Sequence, residues 1–240
     1  ASNILGLIGI FLAAQPVDKD HPYGHKKYET LFALTIAGLL FFVSFSLIRS
    51  SLERFRLPVI PEVNPVSFLI MLATMGVNIL VMRYEFSAGK HMHSDILISD
   101  SLHTRADLLV SVSVIVSLIV IKLGFPVIDP IISLLIALFI AYTGWGIFRH
   151  SSNILCDSAA ILDEKAVRNI VMAVKGVQAC HQIRSRGRDD DIHIDLHVEV
   201  SPTMHVDKAH QISDTIEEAL KKGIAGVSDV VVHIEPKEQA

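Results

Sequence analysis

The sequence predicts an α-helical membrane domain, a polytopic helix bundle, followed by a small α+β domain, and three observations carry that prediction. Leu31 to Ile48, Val66 to Met82 and Pro130 to Phe148 contain no charged residue, and each approaches the roughly 20 residues that cross a hydrocarbon core. A fourth apolar stretch, Ile98 to Ile121, carries His103 and Asp107 at the helical spacing i, i+4, so an imidazole and a carboxylate leave the same helix face inside a bilayer. Beyond Ser151 the chain has the polarity of an ordinary water-soluble domain, with strict two-residue alternation from Ile192 to Val200.

Taken in order, Ala1 to Ala14 is apolar, without a basic flank and too short to span a membrane, so it reads as the second half of a helix that begins before Ala1. Four spans are expected near 28–55, 66–84, 98–122 and 128–149, which makes 1–150 the transmembrane domain and 151–240 a separate one. With sequential spans, Lys19, Lys26, Lys27, Arg83, Lys90 and Arg149 lie on the side of the C-terminal domain, against Arg49, Arg54, Arg56 and Lys122 on the other. Basic loops stay on the cytoplasmic side, so the excess puts the C-terminal domain in the cytoplasm. Cys156 and Cys180 have neither CxxC nor zinc-finger spacing and read as free thiols in a reducing compartment. A net charge of −4 without an Arg/Lys run argues against a nucleic-acid partner.

The C-terminal domain reads as a two-layer sandwich of ferredoxin-like α-β-β-α-β order. Asp163 and Glu164 open a helix with Val167, Ile170, Val171 and Val174 on one face, closed by Gly176. Ile192, Ile194, Leu196, Val198 and Val200 form the apolar face of a strand whose other face is His193, Asp195, His197 and Glu199. His205 to Lys222 repeats at Ala209, Ile212, Ile216 and Leu220 and stops at Gly223, and a last strand runs from Asp229 to Glu235.

Three groups of residues have the chemistry of divalent-metal ligands. An ionisable side chain at mid-bilayer costs roughly 2.5–3.5 kcal/mol on insertion scales, so His103 and Asp107 are a functional site by default. In the loop PVDKDHPYGHKKYE, Pro22 and Gly24 favour a turn that folds His21 and His25 towards Asp18. In the C-terminal domain His233 and Glu235 share one strand face, and His197 lies on the polar face of its own. Imidazole with carboxylate is a ligand set that suits zinc. Each histidine taken singly reads equally well as a solvated surface residue.

HPYGHKKYE after a span, LHTRAD within a later one and a small His-bearing α+β domain together resemble the cation diffusion facilitators, a family that exports divalent metals from the cytoplasm. The resemblance runs from end to end of the chain. It implies a transport site of four ligands, two of them His103 and Asp107 and the other two on the second span, before Ala1. It implies a loop metal site of Asp18, His21 and His25. It also implies a cytoplasmic-domain site near a dimer interface, using His181, His197, His210 and His233, with Glu235 where the family commonly has Asp. Leu102 takes the place of a hydrophobic gate, and Lys27 and Asp157 those of a charge interlock that holds the homodimer's membrane and cytoplasmic parts together.

The protein expected from these features is no enzyme but a secondary transporter in the cell (inner) membrane, carrying zinc, or else iron, cadmium, cobalt or nickel, in exchange for protons. Histidine, with a reference pKa of about 6.5, must be neutral to bind metal, which links metal entry to proton release. Two other classes compete: a membrane-anchored metal sensor or scaffold without transport, and an intramembrane metallo-hydrolase. The second lacks an HExxH or equivalent base motif.

Overall fold

The computed structural model describes residues 2–56, 65–123, 125, 128–159 and 162–237, in two compact units, 1–152 and 153–240. Of the expected loops, 57–64 in the first and 124, 126 and 127 in the last lie outside the described residues.

The first unit is all helical: α1 Ser2–Ala13, α2 Lys27–Arg56, α3 Pro65–Met92, α4 Asp95–Lys122 and α5 Ile128–Leu155. Helices α2 to α5 are each long and apolar enough to cross a membrane, and α1 is a shorter apolar helix. Glu29 in the first turn of α2 and Arg54 and Arg56 in its last complement the helix dipole. The core of this unit is small-residue packing between α2, α4 and α5: Ala33, Ala37 and Leu40 meet Ala106, Ile140 and Ile147. Alanines let the backbones approach, as helices in lipid need when no hydrophobic force draws them together. Polar contacts lock α2 to α5. Ser44 Oγ donates to the Ala137 carbonyl at 2.8 Å, and Arg54 reaches the buried Asp129 carboxylate at 3.2 Å.

Helix α3 is different. Phe68, Leu69, Leu80, Tyr84 and Phe86 point outward or partly outward, and among its described residues only Glu85 and Gly89 are buried. The helix also runs on to Met92, past the span end near 84 that its charges suggest, because Arg, Glu and Lys are good helix formers.

The second unit has the order α6 (Glu164–Met172), β1 (Ala179–Arg188), β2 (Asp191–Val200), α7 (Val206–Gly223) and β3 (Val227–Pro236), the α-β-β-α-β succession that the sequence predicts. Asp163 caps α6 by accepting from the Lys165 amide. The sheet is β1-β2-β3, with β2 antiparallel to β1 and parallel to β3. All five apolar residues of the β2 alternation are buried, against Val167 and Val171 of α6 and Ile212, Ile216 and Leu220 of α7. Two helices cover one sheet face, which leaves the other free for polar side chains.

Candidate metal sites

On that polar face the strand register makes a single row. His181 of β1 pairs with His197 of β2, and His197 with His233 of β3. The ring centroids are 5.5 Å apart for the first pair and 4.6 Å for the second. Glu235, two residues beyond His233, turns back over the row, with Oε1 2.8 Å from His197 Nδ1 and 3.4 Å from His233 Nε2, and Oε2 3.3 Å from His181 Nε2. The hydrogen bond from His197, followed by the fields of the three imidazoles, holds the Glu235 carboxyl below its usual range. A bulge between His181 and Arg184, with Gln182 in the left-handed region at φ 48°, aims His181 into the row.

One ligand atom each from His181, His197 and Glu235 lies within 4.8 Å of the others. Two donors on one tetrahedral zinc stand roughly 3.3 Å apart, so these three fit one ion with small side-chain movement. Glu199, which the alternation along β2 puts on the same face as His197 but which is not among the expected ligands, adds a carboxylate 3.9 Å from His181 Nδ1. His210 stands apart: it is exposed on α7 and pairs with Asp214 at 3.7 Å.

The loop between α1 and α2 folds as a turn around Asp18. Its Oδ1 accepts from the amides of Asp20 and His21 at 2.9 and 2.6 Å, and Gly24 at φ +86° closes the turn through its amide to the His21 carbonyl. His21 Nδ1 is then 3.2 Å from Oδ1 and His25 Nε2 3.4 Å from Oδ2, with the rings 4.3 Å apart. The backbone donor from His21 lowers the Asp18 pKa more than burial raises it. His25 is buried and its Nδ1 has no hydrogen-bond partner among the described residues. Aspartate with two imidazoles again makes a compact three-ligand group.

In α4, His103 Nε2 is 3.9 Å from Asp107 Oδ2. His103 is largely buried, and its Nδ1 is enclosed without a hydrogen-bond partner among the described residues. Leu102 beside it packs on the α2/α4/α5 core, and Arg105 lies over the Phe139 ring of α5 at 5.6 Å. Two more acidic residues are buried close by, Asp100 of α4 and Glu85 of α3, with Thr104 within 3.4 Å of Glu85. Asp100 is legible in the sequence as the i−3 neighbour of His103; nothing in the pattern around Glu85 marks its direction. Lys27 begins α2, and Asp157, at φ 51°, has its carboxylate 3.8 Å from Arg186.

A helical membrane bundle with a histidine-carboxylate pair on an interior helix, joined in sequence to a small α+β domain with its own histidine cluster, defines a metal-handling membrane transporter. The family profile of the cation efflux transmembrane domain matches residues 1–156, and that of the cation efflux protein cytoplasmic domain matches 162–237. The chain belongs to the cation efflux family, the cation diffusion facilitators. An uncharacterised transporter of Methanocaldococcus jannaschii is 31% identical over 98% of this chain and 83% of its own length. The manganese efflux system protein MneS of Bacillus subtilis is 28% identical over 99% and 82%, and the cation-efflux pump FieF of Pectobacterium atrosepticum 29% identical over 98% and 79%. The protein is therefore a multi-pass membrane transporter of divalent cations and not an enzyme, and its C-terminal unit is the family's cytoplasmic domain.

Proposed function

We propose that the protein exports zinc from the cytoplasm in exchange for protons, with His103 and Asp107 as transport ligands and with Asp18, His21 and His25 in the loop, and His181, His197, His233 and Glu235 in the domain, as additional metal sites of a homodimer. The observation that carries the reading is His103: a largely buried imidazole, one helical turn from a carboxylate, on a helix long enough to span a bilayer. Its enclosed Nδ1 has no protein partner among the described residues, and imidazole with carboxylate favours a borderline ion such as zinc over harder ones. Ligation requires neutral imidazole, so metal entry displaces a proton and metal exit admits one. The relative named for manganese efflux supports manganese as a second cargo.

The test is flux in proteoliposomes holding the intact protein, read by a luminal zinc indicator and a pH dye, with manganese in parallel. His103→Ala and Asp107→Ala should each abolish zinc entry and the matching proton efflux while leaving expression and dimerisation intact. Near-normal flux in both variants overturns the assignment, and metal binding without flux in the native protein supports a sensor or scaffold instead. Calorimetry on residues 151–240 checks the domain cluster. About two zinc equivalents per protomer should bind if the cluster is binuclear, with an apparent enthalpy that changes with buffer ionisation, because binding imidazole to metal releases protons. An absence of binding at neutral pH reduces the row of histidines to solvated residues.

A further inference from the structure

Helix α3 presents most of its apolar side chains outward or partly outward, and among its described residues Glu85 and Gly89 are the buried ones. Glu85 and Gly89 stand one turn apart on its single buried face, and both meet α4. A Cβ on Gly89 would come within 2.9 Å of Ile98 Cγ1 and 3.0 Å of the Ile98 amide nitrogen, so only glycine lets the two helices close to this distance. Further along α4, the Thr104 hydroxyl lies 3.1 Å from the Asp100 carbonyl and 3.4 Å from Glu85 Oε2. The same turn of α4 also meets α1, where a Cβ on Gly6 would be 3.4 Å from Asp100 Oδ2. The far side of that turn is held by Ala106 against α2 and α5. A carboxyl group on the inner face of an otherwise lipid-like helix has no packing reason to be there, and such residues in membrane helices mark function with the partner they touch.

We propose that Glu85 is a positioning residue for transport: through Thr104 it sets the rotation and depth of α4, and so the place of His103 and Asp107, while Gly89 brings the helices together. The inference rests on reading His103 and Asp107 as the transport ligands. Thr104 is the residue next to His103, so the hydrogen bond its hydroxyl donates to Glu85 of α3 acts on the turn that carries the imidazole. The grip is a steric contact at Gly89 and a polar one at Glu85, which fixes both the separation of the helices and their angle about the α4 axis. Groups that orient metal ligands typically change affinity or activity by ~10–100-fold when removed.

The experiment measures zinc flux against zinc concentration in proteoliposomes of the intact protein carrying Glu85→Leu, Glu85→Gln, Thr104→Val or Glu85→Leu with Thr104→Val, with His103→Ala as control. Glutamine offers both an acceptor and a donor, so it keeps the bond to the Thr104 hydroxyl in either direction. Glu85→Leu and Thr104→Val should each raise the half-saturating zinc concentration about tenfold, the double variant should be no worse than either, and Glu85→Gln should stay near the native value. A simple loss of folded protein lowers the maximal rate and leaves the half-saturating concentration unchanged. If Glu85→Leu does not fold, the near-isosteric Thr104→Val carries the test alone. An unchanged half-saturating concentration in Thr104→Val, or a Glu85→Gln variant as impaired as Glu85→Leu, overturns the inference while an inactive His103→Ala keeps the transport site. Normal flux in His103→Ala overturns both.

Discussion

Glu235 gathers the row of histidines, its carboxylate touching all three, at 2.8, 3.3 and 3.4 Å. Its nearest partner, His197, keeps the carboxyl ionised below the ordinary value of 4.5. A carboxyl depressed in this way contributes stability that is fully present above 4.5 and is lost as pH falls through the lowered folded value. Thermal melting of the metal-free protein from neutral pH down through that range should therefore show a steeper loss of stability for the native chain than for Glu235→Gln. Parallel curves would mean that the hydrogen bond to His197 contributes nothing to folding. The residue scale also shows where the ligand set implied by the resemblance and the geometry of the row differ. His210 shares a domain with the row but sits on α7, paired to Asp214, since a helix over the sheet's apolar face cannot present a side chain to the polar one.

At the scale of elements, β2 is the most legible part of the chain, because burial of every second residue writes itself directly into an alternation. Strand β1 is far less so: it is an edge strand, ACHQIRSRGR, with a bulge that breaks the period at the point where it delivers His181. The parallel pairing of β2 with β3, which lines up His197 and His233, is not legible either, since a crossover helix makes two strands neighbours without setting their register. Register here depends on turns. Gly226 has φ +83°, and a Cβ on it would overlap the Asp189 carbonyl oxygen, while its own carbonyl accepts from the Ile192 amide at 2.8 Å. Gly226→Ala should lower stability by about 1–3 kcal/mol from the left-handed backbone alone, with the clash adding to it. A denaturation midpoint equal to the native one would show that the turn relaxes freely.

At the scale of the whole molecule, apolar length is enough to read a membrane bundle, and the resemblance carried by HPYGHKKYE and LHTRAD a transporter, yet neither tells which way each helix faces. Lipid and protein interior are equally apolar, so α3 carries no periodic signal that separates Glu85 from its outward neighbours. That outward face has a further consequence. The uncharged run of α3, Val66 to Met82, measures roughly 26 Å along the helix axis, against about 30 Å of hydrocarbon. A run shorter than its bilayer thins the lipid around it or draws its flanking charges inward, and more so as the acyl chains lengthen. Glu85 and Gly89 tie α3 to α4 on the turns leading to His103, so a change in membrane thickness is expected to reach the ligands proposed for transport through this seam. Zinc flux in liposomes of graded acyl-chain length should pass through a maximum, and a flux indifferent to thickness would show that α3 adjusts to its bilayer without turning α4. A maximum would make the lipid around this protein a mechanical input to its turnover, felt through the seam of α3 with α4.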